Sequence, residues 1–188
     1  KRILTMILLT AVVAGLAQAA DPVAVTGARI FTMSGRVIED GTLLVQDGKI
    51  VAVGASVDVP RNARIIDGAG RTVMPGFFDG FTNLGIADLE FFDSDDDEAA
   101  GVMAPHLRVI DALNPENRFL GPAIECGITA ALCSPAEGSL LAGQSAVIRP
   151  AGRTPEAMTL HFPAALVGSM GHPPKARYGK NNQQPMTR

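Results

Sequence analysis

The sequence is poor in the residues that most often carry chemistry. Its 188 residues include three histidines, two cysteines, one tyrosine and no tryptophan. His106, His161 and His172 stand far apart. None falls in a His-x-His or His-Glu-x-x-His spacing, so they read as surface or structurally satisfied histidines rather than ligands. No Gly-x-Ser-x-Gly elbow and no phosphate loop is present. Charge is scarce as well: charged residues make up 19% and the net charge is -3. Without a basic stripe there is no electrostatic footprint for nucleic acid, and that partner is excluded. Cys126 and Cys133 flank an apolar run, Ile128 to Leu132, that reads as a strand. Seven residues of extended chain span roughly 23 Å, whereas bridged Cα atoms lie about 4.4–6.8 Å apart. These two thiols should not pair with each other, and their spacing makes no zinc signature.

What is present is apolar material. Hydrophobic residues make up 47% of the chain, enough for a folded core and too much for a disordered tail. Residues 1–19 stand apart from the rest. Lys1 and Arg2 precede an uncharged apolar run from Ile3 to Leu16, and Ala17-Gln18-Ala19 offers small residues for cleavage. That order of regions is a secretory signal peptide. The run is shorter than the roughly 20 residues that span a bilayer, and no second one follows. The expectation is export to the periplasm or the medium, cleavage after Ala19, and no membrane association of the mature chain. A first residue Lys in place of Met points to a piece of a longer protein.

From residue 20 to 74 the texture is β-rich. Strands are expected near Ala28 to Met33, Thr42 to Gln46, Lys49 to Val53, Ala63 to Ile66 and Thr72 to Met74. Asp47-Gly48 marks a hairpin, because a tight primed turn needs positive φ. A small antiparallel sheet or half-sandwich fits. From residue 75 to 188 the character alternates. Phe77-Phe78 opens an apolar segment, and an acidic stretch runs from Asp88 to Glu98. Its Asp93 to Glu98 portion fails the calcium-loop pattern, since the sixth and twelfth positions hold Glu98 and Ala104; a solvated acidic loop is the better reading. Asn114-Pro115-Glu116 predicts a helix start, with the helix running to Cys126, kinked at Pro122 and stopped by Gly127. The strand Ile128 to Leu132 completes a βαβ unit and argues for parallel pairing. Gly143-Gln144-Ser145 reads as a turn entering a further strand. Thr154-Pro155-Glu156 predicts a second helix start, and the polar stretch from Pro173 to Arg188 shows no folding signal.

The run Ile65-Ile66-Asp67-Gly68-Ala69-Gly70-Arg71-Thr72-Val73-Met74-Pro75-Gly76-Phe77-Phe78-Asp79 resembles the entry to the barrel of the amidohydrolase superfamily. Asp111-Ala112-Leu113-Asn114-Pro115, Glu125-Cys126-Gly127-Ile128-Thr129 and Leu141 to Ile148 are similar to a secreted branch related to imidazolonepropionase. The resemblance implies an α/β fold: a small N-terminal β-sandwich portion, then the first strands and helices of an incomplete (β/α)8 barrel. A complete barrel takes about 250 residues, so most of it would lie outside this sequence. The resemblance also implies a metal-dependent hydrolase of non-peptide carbon–nitrogen bonds, a small-molecule substrate and a divalent metal cofactor.

One departure matters. The superfamily places His-x-His two residues after the strand's Asp, and Phe81 and Asn83 occupy those positions here. Phe cannot ligate a metal, and an amide oxygen is a poor substitute for imidazole. Asp79 is the family's Asp before the missing ligands and is expected to orient loops. The remaining family ligands come from later strands beyond Arg188. No residue of this sequence is therefore assigned a catalytic, cofactor-binding or metal role. A non-catalytic secreted binding protein that kept the barrel stands as the alternative, and a hydrolase holding one metal by later ligands is a weaker third reading.

Overall fold

The computed structural model describes residues 21–87 and 101–179. The signal region, the whole acidic stretch from Asp88 to Glu98 and the end of the polar tail lie outside the described residues, and so does the calcium-loop question. The chain divides between Pro75 and Gly76 into two compact units.

The first unit is a single sheet. Strands β1 (Val23–Phe31), β2 (Val37–Gln46) and β3 (Lys49–Gly54) form an antiparallel meander. Asp47 and Gly48 have φ of 50° and 71°, the primed geometry whose twist matches the flanking strands. Strands β4 (Arg64–Asp67) and β5 (Thr72–Val73) pair with the other edge of β1, and both run parallel to it. The sheet is therefore mixed, where an antiparallel one was expected. The reason lies in the turn at Gly68, which does not reverse the chain. The Gly68 amide donates to the Thr26 carbonyl (2.8 Å), and the Arg29 amide donates to the Arg71 carbonyl (3.0 Å). The chain steps aside and continues alongside β1. A Cβ on Gly68 would meet the Ala28 Cβ at 2.7 Å, so the step needs glycine. Ala24, Ala28, Ile30 and Leu44 are the buried residues that hold this sheet.

The second unit is built on β6 (Phe77–Thr82), β7 (Ile128–Cys133), β8 (Leu141–Ile148) and β9 (Thr159–Gly168), in that order across the sheet. β6 and β7 are parallel, joined through helix α1 (Leu120–Glu125), which is the βαβ unit the sequence implied. β8 then runs antiparallel to β7 and β9. Residues 134–140 are too few for a crossover, which takes a dozen or more. Cross-strand partners share a face. Ala131, Cys133, Ala146 and Ile148 accordingly lie together, packed against Ile86, Val109, Leu113, Leu120 and Met158. Alanines on two adjacent strands let the covering segments approach closely, and all four strand residues are fully buried.

Three local expectations are corrected. The helix does not begin at Asn114: the Asn114 and Asn117 side-chain oxygens accept from the amides of Glu116 (2.9 Å) and Phe119 (3.0 Å). These two successive turns compete with helix, and α1 starts only at Leu120. Pro122 consequently sits in the first turn, where a helical N–H has no partner to lose, and it breaks nothing. The polar tail is not wholly without structure either. α3 (His172–Gly179) forms, with Pro173 and Pro174 in its opening turn, where proline is tolerated. It is tied down by the buried Tyr178, whose hydroxyl lies 3.0 Å from that of Ser139. Thr154 caps the four-residue helix α2 (Pro155–Met158) as its sequence suggested, accepting from the Ala157 amide at 3.2 Å.

Candidate functional site

Parallel sheets bind ligands at the carboxyl ends of their strands. Here those ends belong to β6 and β7. Thr82 pairs with Cys133, and the Ser134 amide donates to the Thr82 carbonyl at 2.8 Å. Between the pairs Asp79–Ala131 and Thr82–Cys133, two residues of β6 face one of β7. Such a bulge re-aims side chains at a site. One carboxylate oxygen of Asp79 accepts from the Phe81 amide at 3.3 Å, so Asp79 shapes the backbone of this bulge.

Phe81 is half exposed and lines a depression of about 240 Å³ together with Leu132, Ser134, Glu137, Ser145 and Leu166. The Ser134 and Ser145 hydroxyls are buried and lie 2.8 Å apart. Ser134 also donates to the Leu132 carbonyl at 3.4 Å. The pair satisfies itself, and no histidine lines the depression to activate either oxygen. The Asn83 carbonyl accepts from the amides of Ile86 and Ala87 and turns the chain away from the sheet. No group of three His, Cys, Asp or Glu residues close enough to hold a metal exists among the described residues. The residues at the end of β6 do not fit the family's metal, because an aromatic ring stands where an imidazole nitrogen is required.

A second feature went unseen in the sequence. β7 ends at Cys133, opposite Ala146, which leaves the edge of β8 from Leu141 to Ser145 without a strand on that side. Residues 102–108 fill it. The Leu140 amide donates to the Val102 carbonyl (2.9 Å), Ala104 to Leu141 (2.8 Å) and Gln144 to Leu107 (2.8 Å). The Gln144 side chain adds a bond to the Pro105 carbonyl at 3.1 Å. Gly143 is thus not in a turn. It is a strand residue with φ of 137° whose missing Cβ leaves room for the Leu107 carbonyl oxygen, 2.9 Å from where that Cβ would stand. Residues 102–108 carry no periodic pattern, so only the glycine hinted at this strap.

Beside the strap lies a cleft of about 430 Å³, walled by Ile86, Val109, Ala112 and Pro135 and carrying His106, Arg108 and Asp111. His161 and His172 do not line it. Arg108 donates from Nη2 to Asp111 Oδ1 at 2.9 Å, and its guanidinium carbon sits 5.5 Å from the centre of the Phe162 ring. A shallower depression of about 470 Å³ shares Arg108 and Asp111 and adds Pro155, Glu156 and Thr159. The Glu156 carboxyl is held below its usual range by its own backbone amide and by the Thr154 hydroxyl. Burial among apolar neighbours pushes the Cys133 thiol up to about 12, which makes it inert at neutral pH. Cys126 is exposed, and the two do not pair.

No family model matches the chain. A solved amidohydrolase from Thermotoga maritima superposes with a TM-score of 0.83 at 29% identity, covering 88% of this chain and 43% of that one. A dihydroorotase of Anaeromyxobacter dehalogenans is 37% identical over 64 residues, which is 34% of this chain and 15% of the enzyme. An imidazolonepropionase of Symbiobacterium thermophilum is 46% identical over 54 residues, 26% of this chain and 13% of the enzyme. The chain thus spans less than half of the solved relative, and its fold is a small β-rich portion followed by the first strands of an incomplete barrel. In sequence and in fold, the chain belongs to the amidohydrolase superfamily.

Proposed function

We propose that the protein is an exported hydrolase of the amidohydrolase type, acting on a non-peptide carbon–nitrogen bond of a small molecule. The observation that carries this reading is the likeness to the Thermotoga maritima amidohydrolase, which runs through both units and 88% of the chain. Export rests on the signal-like order of residues 1–19. A divalent metal belongs to the superfamily's chemistry, but the end of β6 offers no seat for it. The role of this chain's own residues is to shape and position. The β6 bulge presents Phe81 as an apolar wall, and the strap closes the open edge of β8. No nucleic-acid or membrane partner enters the proposal.

The second reading is a secreted, non-catalytic binding protein of the same fold. Phe81 favours it, because a half-exposed ring at the first ligand position suits contact with an apolar ligand and no metal. Both readings meet one experiment. The purified protein is incubated with a panel of cyclic amides and ureas, with and without added zinc or manganese, and products are separated chromatographically. Metal-dependent turnover above the blank supports the hydrolase. Saturable binding of a panel member with no turnover under any metal supports the binding protein and overturns the first reading.

A further inference from the structure

We propose that the cleft beside the strap is a binding site for a small organic monocarboxylate, held by Arg108 and separate from the depression at Phe81. The cleft's volume of about 430 Å³ lies within the range of roughly 300–1,000 Å³ typical of small-molecule sites. Ile86, Val109, Ala112 and Pro135 give it apolar lining, and His106, Arg108 and Asp111 line the same cleft. Arg108 is held from three directions. Its backbone is bridged to Gln144, its side chain is paired with Asp111, and its guanidinium carbon lies over the Phe162 ring. Such a fork is positioned before any ligand arrives, and a planar guanidinium matches the two oxygens of a carboxylate. Asp111 engages Nη2 alone. The donors on Nε and Nη1 have no partner among the described residues, and His106, which lines the same cleft, carries a further ring N–H.

The charge balance selects the ligand. Arg108 and Asp111 cancel, so the site gains its anion affinity from the Arg108 donors that Asp111 does not engage and not from net positive charge. A dianion such as phosphate would remain under-compensated in a chain of net charge -3. A monoanion with an apolar body suits both the donors and the walls. The proposal stands whether the protein hydrolyses its substrate or only binds one, since the cleft and the depression at Phe81 share no lining residue.

The test follows amide and Arg108 Nε–H resonances of the isotopically labelled chain while 3-phenylpropionate is added, with 3-phenylpropionamide and inorganic phosphate as comparison probes. Saturable shifts centred on residues 106–111 are expected for the acid, with binding at least tenfold weaker for the amide and for phosphate. Arg108→Gln is expected to weaken the acid at least tenfold. Asp111→Asn guards against a merely structural effect: the amide keeps an oxygen that can accept from Nη2 and hold the fork, but removes the negative charge beside the site, so the acid should bind several-fold tighter, whereas damage to the fold would weaken it. Equal binding of acid and amide overturns the proposal. So do tighter binding of phosphate, shifts centred on Phe81, Ser134 and Ser145, or weaker binding in Asp111→Asn.

Discussion

Replacing Gly143 by alanine tests whether the strap is held as described. At φ of 137° an alanine occupies a backbone region that costs roughly 1–3 kcal/mol. The new Cβ would also stand 2.9 Å from the Leu107 carbonyl oxygen and 3.2 Å from the Leu107 Cβ. The near atom is backbone, so the strap has to withdraw. Withdrawal weakens the bond from the Gln144 amide to that carbonyl, now 2.8 Å, a net loss of about 1 kcal/mol. The sum is about 2–4 kcal/mol against the docked strap. Native-state hydrogen exchange reads this locally: opening of the Ala104 and Gln144 amides should become roughly 30- to 700-fold more frequent. Gly121→Ala is the control. A Cβ there meets nothing within 4 Å, and alanine within a helix is favoured over glycine by roughly 0.5–1 kcal/mol. If Gly143→Ala left both amides protected within about threefold of the parent, the strap argument would be refuted.

Four further outcomes follow from single residues. At pH 7 to 8 a thiol reagent should label Cys126 and spare Cys133 until the protein is unfolded; two labelled thiols in the native chain would contradict the burial of Cys133. Because the folded chain holds the Cys133 proton more tightly than the unfolded chain, the associated stability is present below about pH 8.5. It is lost as pH rises toward about 12, so denaturant midpoints should fall across that window more in the parent than in Cys133→Ala. Thr154→Ala removes the cap of α2 and should cost about 1 kcal/mol, while the Glu156 carboxyl, followed by NMR, titrates at higher pH than in the parent. Ser145→Ala removes one member of a buried hydroxyl pair and leaves Ser134 only its 3.4 Å bond to the Leu132 carbonyl, which should cost about 1 kcal/mol. The double change with Ser134→Ala should cost less than the two single changes added together, and strict additivity would show that the hydroxyls do not depend on each other.

The parts of this fold that sequence revealed are those where one residue type fixes one conformation. Asp47-Gly48 announces its hairpin through φ, Thr154-Pro155 announces a capped start, and Pro75-Gly76-Phe77-Phe78-Asp79 leads into the first strand of the second unit. The parts it concealed depend on what the chain meets in space. Gly68 signals a turn, but only the carbonyl of Thr26 decides that the chain steps aside and does not reverse. Asn114 is as good a helix cap as any, and the side chain spends itself on a local turn. The strap of residues 102–108 has no period because its hydrogen bonds go to the open edge of β8, which exists only because β7 stops at Cys133. The site was legible in one respect: a phenylalanine at a ligand position is a chemical fact before any folding. Arg108 and Asp111 were not, since a half-exposed ion pair three residues apart looks like any solvated turn.

The central claim is that the carboxyl end of β6, with Phe81 and Asn83, does not seat the metal expected of this superfamily. Its most direct measurement is elemental analysis of the purified 188-residue chain after incubation with excess zinc and thorough desalting. Far less than one zinc per chain is expected. Near-stoichiometric zinc retained on this chain would contradict it and would require a ligand set that the described residues do not contain.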